Sequence, residues 1–214
     1  MNSQVQYTNL NEFLIEHSAK KDKSVISTSH THTRIPDQKL NIYGGSYNIP
    51  PEKLPIFMSL YYEQVFIQHK MEYLTEKQID NGPILIDIDF RYEYAVTERK
   101  HTHNHISDLI DEYLMIIKEL VIIKPNVEFP VYVFEKPTVN RLQDGSLTKD
   151  GVHIIIGIKL NHILQQMLRK KILEKITELW DKEDIPIIND YDSVFDEGIS
   201  KGTTNWQMFG SRKP

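Results

Sequence analysis

The sequence contains no cysteine. That absence excludes disulfide bonds, zinc sites built from thiolates and cysteine nucleophiles. No apolar run is long enough to span a membrane, and the polar start Met1-Asn2-Ser3-Gln4 is not that of a signal peptide. An excess of positive charge is also missing, because the net charge is -5, so any site for a polyanion must be local. We therefore expect an intracellular protein that is not secreted and has no membrane partner.

The chain has 214 residues, of which 40% are hydrophobic and 26% charged, as in ordinary globular proteins. Hydrophobic periodicity predicts an N-terminal α/β lobe over residues 1–80, with a short helix near Leu10, a strand at Val25–Ile26 and a helix from Pro55 to about Tyr73. Residues 81–214 are expected to form the core. Its predicted elements are a strand at 84–89, a helix at 106–122, strands at 129–134 and 152–156, a helix at 163–179 and a strand at 206–209. The order β-α-β-β-α-β predicts an α+β, ferredoxin-like or RRM-like fold.

Two aspartates interrupt the first strand of the expected core, in the run Ile84-Leu85-Ile86-Asp87-Ile88-Asp89-Phe90. Residues two apart on a strand point to the same face, so Asp87 and Asp89 are expected side by side. Adjacent carboxylates at the end of a buried strand repel each other unless a cation lies between them. Hard oxygen ligands of this kind suit Mg²⁺ or Mn²⁺. The spacing alone favours a plainer interpretation, in which the pair marks a strand end and faces solvent.

The expected topology brings other polar residues to this pair. In a ferredoxin-like sheet the first and third strands are neighbours and the fourth flanks the first, so His153 is expected beside Asp87 and Asp89. An isolated histidine in an apolar strand is more often a core residue, but beside two carboxylates its N–H is a candidate donor to a phosphate oxygen. The segment leading into the fourth strand carries Asp190, Asp192 and Asp196.

Basic and histidine-rich segments lie elsewhere in the chain. The ending Gly210-Ser211-Arg212-Lys213 suits a phosphate grip, although a basic solvated tail is the commoner explanation. Arg169-Lys170-Lys171 is typical of a solvated helix face, with contact to a nucleic-acid backbone as the alternative. The remaining candidates are the histidines at 30, 32, 101, 103 and 105. They invite a zinc interpretation, but we favour a solvated loop or a helix start for them.

These residues resemble the motifs of the archaeo-eukaryotic primases (AEP), and most closely those of the N-terminal primase domain of primase–helicases from large eukaryotic DNA viruses. The first motif is an apolar strand ending in Asp-x-Asp, here Leu85 to Asp89. The second is a small residue, any residue and His, here Gly151-Val152-His153, with Gly151 where the family often has Ser. The third is an acidic residue before a strand that ends in a small-residue and lysine turn. The resemblance covers nearly the whole chain.

Three aspartates compete for the acid of the third motif. When the ending of the related eukaryotic primase-polymerases is laid on this chain without a gap, Asp196 takes that position. The same alignment puts Gln207 where the family has Arg. Asp196 is therefore preferred, with Asp190 and Asp192 as alternatives.

The resemblance implies a DNA-dependent primase or primase-polymerase, a nucleotidyltransferase that synthesises primers on single-stranded DNA for viral DNA replication. Catalysis would use two divalent cations, Mg²⁺ or Mn²⁺, held by Asp87, Asp89 and Asp196. The residues implied to bind the incoming NTP or dNTP are His153, Ser211, Arg212, Lys213 and Arg91. The chain would be a fragment of a longer primase–helicase with a C-terminal helicase. It would act in the infected cell, either in a cytoplasmic viral factory or in the host nucleus.

Two alternatives are also compatible with these residues. One is a different metal-dependent phosphotransferase or nuclease that uses the same carboxylate pair. The other is a non-catalytic module that binds nucleic acid or a protein partner.

Overall fold

The structure, a computed structural model, describes residues 7–19, 30–180 and 185–213. The chain forms two compact units, residues 1–78 with 205–214 and residues 79–204. The first division falls close to the expected boundary at residue 80, whereas residues 205–214, which we expected in the core, group with the first unit. The strand expected at Val25–Ile26 lies outside the described residues.

Helices and strands alternate irregularly along the chain. In chain order they are α1 (Leu10–Glu16), β1 (His32–Arg34), β2 (Gly45–Tyr47), α2 (Leu54–Tyr62), β3 (Leu74–Glu76), β4 (Gly82–Tyr92), α3 (His103–Leu120), β5 (Val131–Glu135), β6 (Asn140–Arg141), β7 (Thr148–Leu160), α4 (His162–Leu179), α5 (Tyr191–Val194), α6 (Glu197–Ser200) and β8 (Trp206–Gln207). A 3₁₀ turn (Pro51–Lys53) precedes α2, and a π-helical turn (Glu63–Ile67) continues it. Within the described ranges, no helix is both long and apolar enough to cross a bilayer.

The first unit is built on an antiparallel sheet of strand order β2-β1-β3-β8. Helix α1 begins where the Asn9 side chain accepts a hydrogen bond from the backbone N–H of Glu12, which satisfies one of the free donors at the helix start. The apolar faces of α1 and α2 pack with one face of the sheet. The buried core consists of Leu10, Phe13, Leu14, Tyr47, Ile49, Phe57, Tyr61, Leu74 and Met208. The helix expected to reach Tyr73 ends earlier, because its π-helical turn stops at Ile67 and His69 has a left-handed backbone conformation (φ 52°) that cannot continue a right-handed helix.

The second unit is built on the antiparallel sheet β4-β7-β5, with the short β6 also paired to β7. Burial alternates along β4 and β7, so each strand has one buried face and one open face. The buried face packs with α3 and α4 in a single core. Representative core residues, one from each of these elements, are Ile88, Val152, Ile116 and Ile172.

The predicted α+β class and the order β-α-β-β-α of the core are confirmed. The prediction for the last strand was wrong, because β8 pairs with β3 of the first unit instead of flanking β4. The free edge of β4 is lined by residues 188–196, which make hydrogen bonds to it without forming a regular strand. Physically, this segment satisfies the edge donors and acceptors that a fourth strand would otherwise pair.

Candidate active site

Strand β4 places Asp87 and Asp89 on its open face. The residues between and around them, Ile86, Ile88 and Phe90, are buried against the helices, whereas Asp87 is partly buried and Asp89 is exposed. This is the arrangement that period-two alternation predicts. The two carboxylates thus lie on the same face of β4, whose other face packs against a continuous apolar core.

His153 lies directly opposite Asp87 in the β4–β7 register. Its Nε2 atom is 3.2 Å from Asp87 Oδ1, and 32% of the His153 side chain is exposed. The expectation that the third strand of the core brings this histidine beside the first carboxylate is therefore confirmed. Asp89 lies opposite Gly151, where an added Cβ would be 3.1 Å from the Ile88 carbonyl oxygen. A small residue suits this position because larger side chains would crowd the backbone of β4.

The segment along the free edge of β4 carries the third aspartate. Phe195 forms an antiparallel bridge with Ile88, and the backbone N–H of Asp196 donates to the carbonyl of Asp87 at 3.1 Å. The Asp196 side chain caps α6, with Oδ1 accepting from the Gly198 N–H at 2.7 Å. The main chain of Asp196 is thus fixed beside that of Asp87.

The two alternative aspartates are engaged elsewhere. Asp190 Oδ1 accepts from the backbone N–H of Ser193 at 2.7 Å and caps α5, and the hydrogen bonds from Ser193 hold the pKa of this carboxyl below its usual value. The Asp192 side chain is 75% exposed and lies 3.0 Å from Arg169 Nη2. Of the three, Asp196 is the one whose backbone is bonded to Asp87, so the geometry favours the alignment that chose it.

Arg169 is a functional candidate whose burial the sequence does not predict. We interpreted it as part of a solvated helix face, but it is buried, and its guanidinium donates to the carbonyls of Phe195 and Asp192. The Nε–O distance to Phe195 is 2.9 Å, and the Nη2–O distance to Asp192 is 2.7 Å. Arg169 therefore fixes the peptide that immediately precedes Asp196. The run of charged residues on α4 gives no sign of this role, because the sequence does not show that the segment around Phe195 packs on Arg169.

The donor set suits a hard divalent cation. Asp87, Asp89 and Asp196 supply carboxylate oxygens, which are the ligands that Mg²⁺ and Mn²⁺ prefer. A cavity of about 20 Å³, enough for one water molecule, is lined by Asp87, Arg169 and Asp196 among others. Among the described residues, however, no three acidic or histidine side chains are already gathered closely enough to hold a metal ion. The residues fit the ion by chemistry and by backbone placement, without forming a finished ligand cluster.

The residues of the last motif belong to the first unit. Ser211 is buried: its Oγ accepts from the Leu74 N–H at 3.0 Å and lies 2.9 Å from the Tyr61 hydroxyl. The Arg212 N–H donates to the Glu72 carbonyl, while the side chains of Arg212 and Lys213 are exposed. The serine therefore stabilises the turn from inside, and the two cations are the groups available to an anion. Asp87, Asp89, His153 and Asp196 all belong to the second unit, as does Arg91, which is exposed on the open face of β4. Ser211, Arg212 and Lys213 belong to the first unit.

An ion network that no sequence pattern indicates surrounds the buried side chain of Asp150. Arg99 contacts both carboxylate oxygens of Asp150, at 2.9 and 3.0 Å, and also bonds to Glu135. His101 Nε2 lies 2.8 Å from Glu135 and its Nδ1 lies 3.4 Å from Asp150. The network ties the loop before α3 to β5 and β7. His103 lies at the start of α3, as we expected of a helix-start histidine.

The helix start also accounts for His105. The Nδ1 atom of the His105 ring accepts a hydrogen bond from the backbone N–H of Thr102, and the backbone N–H of His105 donates to the Thr102 hydroxyl. The two residues therefore form a capping box. His32 lies in β1 and is buried, which corrects the expectation of a solvated loop.

Comparison with known proteins bears on this arrangement. The family described as "C962R protein N-terminal AEP domain" matches residues 36–214. A protein of Acanthamoeba polyphaga mimivirus that bears the name helicase L207/L206 is 31% identical over an alignment of 213 positions, which covers 97% of this chain. The chain spans only 21% of the length of that relative. The carboxylate-bearing β4, the histidine-bearing β7 and the α+β core all lie within the matched region. The chain therefore belongs to this AEP family.

Proposed function

We propose that this chain is a primase or primase-polymerase, which synthesises primers on single-stranded DNA by nucleotidyl transfer. One observation carries the proposal: Asp87, Asp89 and His153 share the open face of two paired strands, and the main chain of Asp196 is bonded to that of Asp87. Membership of the AEP family supports a role of primase type. The relative that is named a helicase supports the further proposal that the chain works as the primase part of a viral primase–helicase.

The proposed division of labour follows from the chemistry of each side chain. Asp87, Asp89 and Asp196 would hold Mg²⁺ or Mn²⁺, which when bound polarises the attacking 3′-hydroxyl and neutralises charge on the phosphates. Phosphoryl transfer asks mainly for positioning and charge neutralisation, so a small set of acids suffices.

The remaining groups are assigned to the nucleotide. His153 lies beside the acids and presents a partly exposed ring, and its N–H would donate to a phosphate oxygen of the NTP or dNTP. Arg91, Arg212 and Lys213 are exposed cations that would bind further phosphate oxygens. We assign Ser211 to the shape of its turn, because its hydroxyl is used within the first unit.

The test is primer synthesis on homopolymeric single-stranded DNA with labelled NTPs or dNTPs and Mg²⁺ or Mn²⁺. Asp87→Asn and Asp196→Asn should each abolish product, and Asn at position 196 can still cap α6, so loss of product would report the lost charge. Asp190→Asn is the matched control: it also keeps a helix cap and should leave synthesis intact. Full synthesis by Asp196→Asn, or its loss in Asp190→Asn, would overturn the assignment of the third acid.

The same experiment separates the alternatives. Cleavage of labelled single-stranded DNA without extension would identify a nuclease. Binding of DNA that is unaffected by a chelator, with no product under any condition, would identify a non-catalytic module. Either result would overturn the proposed primase.

A further inference from the structure

Strand β5 presents two aromatic side chains on the open face of the second sheet. Tyr132 and Phe134 are two residues apart, so they point to the same side of the strand. In the β5–β7 register Phe134 lies opposite His153, and His153 lies opposite Asp87 across the next pair of strands. Asp87, His153 and Phe134 therefore form one row that crosses all three strands. Tyr132 lies in the neighbouring row, opposite Ile155.

The two rings form a continuous surface. Their centroids are 6.2 Å apart and their planes differ by 24°. Tyr132 is 52% exposed, and Phe134 is partly exposed. The adjacent residue Val131 points the other way and packs against the core. Tyr132 is exposed and does not belong to the core cluster, so packing within the fold does not explain its aromatic ring.

We propose that Tyr132 and Phe134 form the surface on which the base of the incoming nucleotide stacks. This inference rests on the proposed function, because it assumes that phosphates are held beside His153 and the carboxylates. Neighbouring strands are about 4.8 Å apart, so Phe134 lies roughly 10 Å across the sheet from Asp87. A nucleotide carries its phosphates at one end and its base at the other. The open face of the sheet offers acids and a histidine for the phosphates, and two aromatic rings for the base.

Stacking on these rings has a consequence for selectivity. Every base has a π-face, so an aromatic surface contributes to the affinity for all four nucleotides alike. Discrimination between bases would then come from pairing with a template. A stacking surface of this kind is therefore compatible with template-directed choice of the nucleotide.

The test compares two probes, ATP and inorganic tripolyphosphate, which carry the same phosphate chain with and without the nucleoside. Their affinities are measured by calorimetry in the presence of Mn²⁺ for wild type, Tyr132→Ala, Phe134→Ala and the double variant. Loss of base stacking should weaken ATP binding by about ten-fold to a hundred-fold in the double variant, while tripolyphosphate binding stays unchanged. Val133→Ala, which alters the residue between the rings on the opposite face, is the matched control and should bind ATP like wild type. Tyr132→Leu and Phe134→Leu keep apolar bulk and replace the alanine variants if those do not fold.

The outcomes separate this inference from the function on which it rests. If wild type binds neither ATP nor tripolyphosphate, the proposed primase itself fails. If wild type binds ATP and the folded double variant binds it equally well, only the stacking surface is refuted. If the double variant keeps ATP affinity but loses affinity for a single-stranded oligonucleotide, the surface serves the DNA strand, and the assignment to the incoming nucleotide is overturned.

Discussion

Replacing Arg169 by lysine tests whether the buried guanidinium positions the third aspartate. The guanidinium donates to the Phe195 carbonyl from both Nε and Nη2. Its Nη2 also donates to the carbonyl and the carboxylate of Asp192. Lysine keeps the charge but replaces a planar fork by a single compact ammonium group. It can satisfy one of the two carbonyls, and the other loses a hydrogen bond from a charged donor. Arg169→Lys should therefore lower the free energy of unfolding by about 2 kcal/mol.

The same loss should appear in metal affinity. Asp196 follows Phe195 directly, so a looser segment must be ordered again when the cation binds. If the Mn²⁺ binding free energy becomes less favourable by the whole of that loss, about 2 kcal/mol, the affinity falls about thirty-fold, which is the upper limit. We expect a decrease of roughly ten-fold. Urea unfolding and Mn²⁺ titration by calorimetry measure the two quantities on the same variant.

Asp192→Ala is the matched control for this prediction. The Asp192 side chain is 75% exposed, so its contact with Arg169 contributes little, whereas the carbonyl contact from the backbone of residue 192 remains. The control should change stability by less than about 1 kcal/mol and should bind Mn²⁺ like wild type. An Arg169→Lys variant that is destabilised yet binds Mn²⁺ with unchanged affinity would refute the positioning role. Loss of Mn²⁺ binding in Asp192→Ala would instead make Asp192 the third ligand.

Three further predictions concern the first unit. Ser211→Ala should destabilise the protein by about 1–3 kcal/mol in urea unfolding, because it leaves the buried Leu74 N–H without its acceptor and removes a partner of Tyr61. Lys213→Ala should leave the stability unchanged and raise the KM for the nucleotide. An unchanged KM would count against the role of Lys213. His32 is buried, and burial lowers its pKa from 6.5 to about 4, so the unfolded chain binds the proton more readily. The stability that neutral His32 contributes is complete above its unfolded pKa and is lost as the pH falls toward the folded value, by up to about 3 kcal/mol. Urea titrations near neutral and acid pH should show a smaller loss in His32→Phe, and an identical loss in both proteins would contradict this account.

The sequence predicts the part of the site that obeys periodicity. Asp87 and Asp89 fall on one face because a strand alternates, and His153 lies opposite Asp87 because the first and third strands of this fold are neighbours. Each of these relations depends on a regular element whose geometry is the same in every protein. Local pattern is sufficient there, and the structure places each of these three residues where the pattern predicts it.

The sequence is less informative where irregular backbone decides the geometry. The residues before Asp196 contact β4 through one bridge, one backbone hydrogen bond from Ile188 and side-chain hydrogen bonds, so no strand pattern marks them in the sequence. The position of β8 depends on a three-residue partner, β3, that is too short to show alternation. Ser211 is buried by Tyr61, a residue 150 positions away, and no local signal marks that contact. In each case the deciding interaction is tertiary and joins segments that are distant along the chain.

The three aspartates differ in how firmly the surrounding structure holds them. Asp87 and Asp89 are carried by an eleven-residue strand with a continuous core beneath it, whereas Asp196 caps a helix of four residues and is held mainly by one backbone bond and by Arg169 acting on its neighbour. In the described part of the chain the three carboxylates are not yet a ligand cluster, so some ordering free energy remains to be supplied when the cation binds. The strand then provides a fixed pair of ligands, and the edge segment provides the ligand that adapts. On this reasoning the residues that hold the edge segment, and not only the acids themselves, determine how tightly the cation binds.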